Sequence, residues 1–291
     1  MPSSPEGHRR PGQQPISTGL AGIASVKGAA PFPAAAIPRP ALPHAMGMLA
    51  SEYEAARILL GRLEPAGWWL PGVREAAVSM ILDAEQAGRN RRLVGRLRRA
   101  GLLPGTMTPA RRERRTEILA GQTPERLTAE LAFWARRAVH AAPWRRGGPA
   151  SRWWPGVPEG YDVDYLFRVL LPRSAWLYRT ILASAACQPA GSSPHDAEIV
   201  RQAVRDLAGI WHGPAVIVEI TGQAGGRWLI GDGTAAAVVR TTPASFVRLV
   251  TGHTAAEAEI GGDAAAASAL LAVRIPWTPL GLCLPLARAA D

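Results

Sequence analysis

The chain has 291 residues, of which 47% are hydrophobic and 19% charged, so it can form a core and is not disordered throughout. No stretch of about 18 residues is both apolar and uncharged, and this predicts a protein without a membrane-spanning helix. The net charge of +10 comes almost entirely from arginine. An arginine-rich composition follows from GC-rich coding alone, so the charge does not by itself indicate a nucleic-acid partner.

The two cysteines, Cys187 and Cys283, lie far apart and outside any metal-binding pattern. This spacing excludes a disulfide framework and a thiolate zinc site. We expect both to be small buried residues of a reduced, cytoplasmic protein.

Residues 1–45 differ from the rest of the chain, because they contain nine of the 26 prolines and no helical or alternating apolar pattern. Such a segment buries too little apolar surface to compensate for its chain entropy. We therefore predict a disordered tail over residues 1–45.

Residues 46–190 are predicted to form four helices, because apolar residues recur at the spacing of one helix face and proline or glycine ends each run. The first opens near Met48, and Pro172 should kink the last. The predicted helices cover about residues 48–63, 73–100, 124–140 and 163–186.

Residues 191–291 are predicted to form a small mixed α/β unit. A helix starts at Ser193–Asp196, with Ser193 as the cap and Pro194 in the first turn, and is predicted to end at His212 and Gly213. Alternating apolar residues then predict strands, with helices between them. The strands fall at 215–221, 227–230, 237–240 and 272–277, and the helices at 243–250 and 263–271. The fold class is thus α+β.

Several short segments between residues 46 and 280, taken in order, carry a family resemblance. They are Leu49–Tyr53, Val73–Arg74, Arg112–Arg114, Thr123–Glu125, Trp176 with Arg179, Val218–Gly222, Gly225–Arg227 and Val250–Gly252. Together they resemble the mycothiol-dependent maleylpyruvate isomerase family of the DinB-like superfamily. The resemblance implies a DinB-like four-helix bundle over residues 46–190, a C-terminal domain over residues 191–291, and a substrate cleft between them.

That family holds a divalent metal, typically zinc, through a histidine on the second helix and a carboxylate and histidine four residues apart on the fourth. The resemblance places Ser79, Ser174 and Tyr178 at these positions, with Glu85 matching an acidic residue of the second helix. Hydroxyl groups are poor zinc ligands, and neither helix contains a histidine. We therefore predict that no metal is bound, although Asp83, Glu85, Asp162 and Asp164 lie within reach. Mycothiol stays a candidate cofactor.

The residues at the former metal positions allow two interpretations. Tyr178 and Ser79 either donate hydrogen bonds to a substrate, with Ser174 and Trp176 beside it, or Tyr178 fills the space that an ion would occupy. His253 is a candidate acid–base group if it faces the cleft. A solvated helix cap is the alternative for His253.

Two arginines are also candidates for substrate binding. Arg179 has the planar fork that binds a carboxylate, and Arg74 matches a position near the cleft. Each would instead be structural if it formed a surface or interdomain ion pair.

Three functions follow from these observations. The first is an enzyme or enzyme-derived protein of the isomerase or thiol-transferase type that binds a small organic molecule without metal. The second is a non-catalytic relative with a ligand-binding or regulatory role. The third is a nucleic-acid-associated protein that uses residues 89–115, which contain ten arginines and one acidic residue, although a solvated helix end explains this run as well. The sequence does not determine the substrate or the oligomeric state.

Overall fold

A computed structural model describes residues 30–89, 109–141, 161–187, 193–251 and 258–277. The N-terminal part of this region differs from the predicted tail. Strand β1 (Phe32–Pro33) pairs with a later strand, and a 3₁₀ turn follows at Ala34–Ala36. Helix α1 (Leu42–Arg62) starts before residue 46. Folded structure therefore begins earlier than predicted, because β1 gains backbone hydrogen bonds from a distant strand rather than from its neighbours in sequence.

Four long helices form a bundle in which α1 and α2 (Val73–Gly88) each pack against both α4 (Pro124–Ala141) and α5. Helix α5 comprises Val163–Tyr165, a π-helical turn at Leu166–Leu170 and the regular segment Leu171–Ala185. These four elements match the predicted helices, except that residues 90–100 lie outside the described part of the chain. None of the described helices is long and apolar enough to cross a bilayer.

Helix α2 runs through the centre of the bundle, since almost every residue from Ala76 to Gly88 is buried. Small side chains allow this close packing. A Cβ atom at Gly88 would lie 2.8 Å from the Cβ atom of Arg137 on α4, so no larger residue fits there without a shift. Polar side chains on α2 are therefore held inside the protein and need partners there.

A further helix, α3 (Pro109–Ala120), was not predicted and packs against α2. It is strongly polar, and Leu119 is its one fully buried side chain among the described residues. Two arginines of α3, Arg112 and Arg115, form ion pairs with carboxylates of α2.

The C-terminal part begins with helix α6 (Asp196–Ile210) and continues into the mixed sheet. Its strands are β2 (Val216–Ile220), β3 (Gly226–Ile230), β4 (Ala237–Thr241) and β5 (Ala258–Gly262), with helices α7 (Pro243–Thr251) and α8 (Ala264–Ala272). The strand order is β1-β3-β2-β4-β5. The α+β class, with helices first and a small sheet afterwards, is confirmed.

The strand predicted at 272–277 is wrong. Residues 273–277 form no strand. Ile275 and Trp277 are buried in the core instead, and the carbonyl of Pro276 accepts a hydrogen bond of 2.9 Å from Arg173 of α5. Arg173 also pairs with Asp206 of α6 at 2.7 Å. The segment is therefore fixed by α5 and α6 rather than by a neighbouring strand.

The cysteine prediction is wrong for Cys187, which is exposed just after α5. Cys187 has a positive φ of 52°, two residues after the last residue of the helix. Cys283 lies outside the described residues.

Candidate functional site

The buried carboxylate of Asp83 is the centre of a polar cluster inside the bundle. Its Oδ2 accepts a hydrogen bond of 2.7 Å from the Ser174 hydroxyl and a longer one of 3.4 Å from the Tyr178 hydroxyl. Its Oδ1 accepts a hydrogen bond of 3.2 Å from Arg112 of α3. Helices α2, α3 and α5 therefore meet at one carboxylate, which we call the Asp83 cluster together with Ser174, Tyr178 and Arg112.

The cluster is almost closed to solvent. Asp83 and Tyr178 are each 2% exposed and Ser174 is 1% exposed, whereas the Arg112 side chain is 16% exposed. Burial raises the pKa of Asp83 above its ordinary value of 3.8, although Arg112 and the hydroxyl groups oppose this shift. A carboxyl group whose charged form is disfavoured in this way is suited to accept and release a proton.

Two buried tyrosines face this carboxylate. Burial, and then the charge of Asp83, raise the pKa of Tyr178 well above 10.0. The same two causes raise the pKa of Tyr53, which comes from α1. Both hydroxyl groups therefore stay protonated near neutral pH, and that of Tyr178 donates to Asp83.

Sequence reasoning brought Ser174 and Tyr178 together correctly, because residues four apart lie on the same helix face. It named Asp83 as one of four nearby acids, and it missed Arg112 as a member of the site. Ser79, four residues before Asp83 on α2, is half-buried. The four-residue spacing of Ser79 and Asp83 could have placed Asp83 in the site. No comparable sequence pattern could have placed Arg112 there, because Arg112 lies on a helix that was not predicted.

A second buried carboxylate, Glu85, lies two residues further along α2. Arg115 of α3 donates to Glu85 at 2.9 Å and to Glu130 of α4 at 2.8 Å. Arg89 also forms an ion pair with Glu85. Glu85, the acidic residue that the family resemblance singles out on α2, is thus engaged in ion pairs, and the pair with Arg115 attaches α3 to the bundle.

The donor set around Asp83 does not suit a divalent metal. Both carboxylate oxygens are engaged by groups of the chain, and the guanidinium of Arg112 would repel a cation at the same oxygen. Among the described residues, no three of the side chains that usually bind metals are grouped together. The hydroxyl groups of Ser79, Ser174 and Tyr178 are neutral, hard oxygen donors and are therefore weak ligands for zinc.

Protein purified without chelator is expected to contain well under one zinc per chain. Added zinc should leave the melting temperature unchanged, because an ion that does not bind the folded state cannot stabilise it. Elemental analysis after gel filtration and thermal melts measure both quantities. One firmly retained zinc per chain would contradict the assignment of Ser79, Ser174 and Tyr178.

Arg179 lies in a different network, which joins α5 to α1 and to the start of α6. Its Nε donates to the buried carboxylate of Glu52, and its Nη2 donates to Asp196 Oδ1 at 3.2 Å. Ser193 donates to Glu52 at 2.6 Å. The indole of Trp176, also proposed to bind substrate, donates to Asp196 at 2.6 Å. In this structure both residues are therefore engaged in intramolecular contacts.

Arg74 caps the end of α3. Its Nε donates to the carbonyl of Ala120 at 2.8 Å, its Nη2 donates to the carbonyl of Gln122, and its guanidinium carbon lies 5.0 Å from the centre of the Trp69 ring. A guanidinium that pairs with free carbonyl groups at a helix C-terminus stabilises that end.

His253 lies outside the described residues.

A helical bundle with a buried carboxylate centre, followed by a small mixed sheet, is the class of protein that these observations define. Two solved structures are similar in fold. One is the mycothiol-dependent maleylpyruvate isomerase in a form with a histidine-to-alanine substitution, with a TM-score of 0.47, and the other is the same enzyme, with a TM-score of 0.41. Each is 14% identical, and each match covers 80% of this chain and 97% of the other. No protein-family model and no curated protein sequence matches the chain.

Proposed function

We propose that this protein binds and transforms a small organic molecule at the Asp83 cluster without a divalent metal. The observation that carries the proposal is the buried Asp83 carboxylate, which holds the hydroxyls of Ser174 and Tyr178 at 2.7 and 3.4 Å. In this proposal Asp83 takes a proton from the bound molecule and later returns that proton, while Tyr178 and Ser79 donate hydrogen bonds to the bound molecule.

In this proposal a ligand reaches the Asp83 cluster when the side chain of Arg112 moves aside. Its side chain is the most exposed of the four, and its bond to Asp83 is moderately long at 3.2 Å. A shift of Arg112 toward solvent would uncover Asp83 without moving the bundle helices. Such a shift would also remove a positive charge from the carboxylate and favour its protonated form.

The similar solved structures bear on the ligand only through their names, which describe an isomerase of maleylpyruvate that depends on mycothiol. We take maleylpyruvate as the first substrate to assay and mycothiol as the first candidate cofactor. Isomerase or thiol-transferase chemistry is the class of activity proposed for this chain, with a location in the cytoplasm.

A non-catalytic relative is the second candidate, and a specific observation favours it. Both oxygens of Asp83 already have partners from the chain, and the cluster is nearly closed to solvent. In this candidate function the hydrogen-bonded cluster holds the helices together and does no chemistry. Three arginines of residues 89–115 pair with Asp83 or Glu85, so a nucleic acid would have to contact other arginines of that stretch.

Tyr178→Phe provides the test. The variant is expected to lose most turnover of maleylpyruvate in the presence of mycothiol, because the ring still packs but its hydroxyl no longer donates. Tyr165→Phe is the matched control, since Tyr165 is also buried and its hydroxyl donates to Asp206, away from the cluster. Each change removes one buried hydrogen bond and should cost about 1 kcal/mol of stability.

The assay measures turnover in chelator-treated protein and melting shifts with each compound. Equal turnover by both tyrosine variants would exclude a chemical role for the Tyr178 hydroxyl. Binding without turnover in the wild-type protein would favour the non-catalytic candidate. If neither compound is bound nor converted, the proposal fails for this ligand pair.

A further inference from the structure

The mixed sheet has one face that lies outside the hydrophobic core. Along β2, Val216, Val218 and Ile220 are buried, whereas Ile217 and Glu219, which alternate with them, are half-buried. The same alternation occurs along β3 and β4, and residues of the second set do not belong to the core cluster. We call this second set the open face: Ile217, Glu219, Arg227, Leu229, Val238, Arg240 and Glu259.

An apolar row crosses the three central strands of the open face. Ile217 of β2 pairs in register with Leu229 of β3 on one side and with Val238 of β4 on the other. Directly paired side chains on one face of a sheet are close neighbours. The row is therefore a continuous apolar strip that described helices leave uncovered.

A charged row runs beside the apolar row, two residues along each strand. In strand order from β3 to β5 it contains Arg227, Glu219, Arg240 and Glu259. Arg240 lies 3.3 Å from Glu219 and 3.4 Å from Glu259. The side chain of Glu259 is 79% exposed, whereas those of Arg240 and Glu219 are 29% and 25% exposed, so the row is partly open to solvent at its centre and most open at β5. The signs along it alternate: plus, minus, plus, minus.

We propose that the open face is the interface of a homodimer, in which a second copy of this chain packs its open face against the first. The two-fold axis runs along the strands, between β2 and β4. Rotation about this axis exchanges β2 with β4 and β3 with β5. Glu219 of each copy then faces Arg240 of the other, and Ile217 of each copy faces Val238 of the other.

The order of charges selects a second copy over other partners. A row of one sign would attract an oppositely charged molecule such as a nucleic acid, whereas an alternating row has no net sign. The plus-minus-plus-minus order is complementary to its own reverse, and a two-fold axis produces that reverse. The outer charges, Arg227 and Glu259, are also opposite in sign and are exchanged by the same rotation.

The size of the face predicts a weak dimer. The four strands of the open face, β2 to β5, are each five residues long; at about 4.8 Å between strands and about 3.3 Å per residue they present roughly 320 Å² per copy. A standard stable interface buries about 800 Å² per partner. The association should therefore depend strongly on protein concentration.

Charge reversal in the full-length chain tests this interface. Sedimentation velocity over a wide concentration range should show a monomer–dimer equilibrium for the wild-type protein. Glu219→Arg and Arg240→Glu should each raise the dissociation constant by about tenfold or more, because the symmetry places each repulsion in the interface twice. Arg201→Glu, which reverses an exposed charge on α6, is the control and should leave association unchanged.

Mixing the two charge-reversed proteins distinguishes this geometry from any other interface. In a mixed dimer the arginine introduced at position 219 of one variant faces the glutamate introduced at position 240 of the other. The remaining wild-type pair is restored as well, so mixing should recover association to within about threefold of wild type. If one single variant fails to fold, the double exchange Glu219→Arg with Arg240→Glu keeps the pairing and should dimerise. A monomer at every concentration, a dimer unaffected by the reversals, or no recovery on mixing would each overturn the proposal.

Discussion

Replacement of Asp83 by asparagine is expected to reduce turnover about a hundredfold or more while the protein still folds. Asparagine keeps the shape of the side chain and can hold one hydroxyl of the cluster, but it cannot accept a proton, and loss of a positioned acid–base group typically costs about 10²–10⁴ in rate. The rate of maleylpyruvate conversion with mycothiol, together with circular dichroism, measures both parts of this result. Wild-type turnover by Asp83→Asn would exclude Asp83 as the acid–base group.

The same variant is expected to change how stability depends on pH. Burial holds the pKa of Asp83 above 3.8 in the folded protein, so the folded state binds a proton there more readily than the unfolded chain does. The stabilising contribution of Asp83 is therefore fully present below pH 3.8 and is lost as the pH rises through the folded-state pKa. Asp83→Asn should lack this decline in urea unfolding measured at several pH values. An unchanged pH profile would contradict the raised pKa.

Glu85→Gln is the matched control for Asp83→Asn. Glu85 lies on the same helix, is equally buried and also pairs with an arginine of α3, but it is not part of the Asp83 cluster. Its replacement should destabilise the protein, because Arg115 loses a charged partner, and should leave the turnover of the remaining folded protein unchanged. Equal losses of turnover in the two variants would show that both act only through the attachment of α3.

Replacement of Arg179 by glutamine is expected to lower the free energy of unfolding by about 3–5 kcal/mol. The side chain of Glu52 is 1% exposed and forms its ion pair with Arg179, so the change leaves a carboxylate buried without its charged partner. Asp196 at the start of α6 loses a bond as well. Urea unfolding monitored by circular dichroism measures the effect.

Arg57→Gln is the control for Arg179→Gln. Arg57 lies on α1 and pairs with Glu54 in solvent, where an ion pair contributes little to stability. The control should unfold at the same urea concentration as the wild-type protein. If Arg179→Gln were as stable as this control and instead lost binding of a carboxylate ligand, the sequence-based role of Arg179 in substrate binding would be supported over the structural one.

The four bundle helices were predictable because each has its own apolar pattern and its own stop signals. Helix α3 was not, since its sequence from Pro109 to Ala120 is polar on nearly every face and it is held by arginine contacts to α2. Strand β5 was missed for a related reason. Its sequence, Ala258–Gly262, is rich in small residues with weak strand preference, and pairing with β4 fixes it.

The polar residues of the candidate site divide in the same way. Ser174 and Tyr178 could be placed together from their spacing alone, because the helix geometry is local. Arg112 could not be placed, because it contacts Asp83 from 29 residues away along the chain. Arg179 and Arg74 were assigned to ligand binding from their type, and their actual partners depend on how α1, α3 and α6 pack.

The amino-acid sequence by itself determined the four bundle helices, the change from helices to a small mixed sheet near residue 215, and the absence of histidine from α2 and α5. Each of these depends on residue identity or on periodicity within one element. Only the tertiary structure decided that Asp83 is the acceptor for Ser174, 91 residues away, and that the charges of the open face line up across four strands. Burial makes an unpaired charge costly, so the partner of each buried charge is set by which elements pack together, and local sequence does not contain that information.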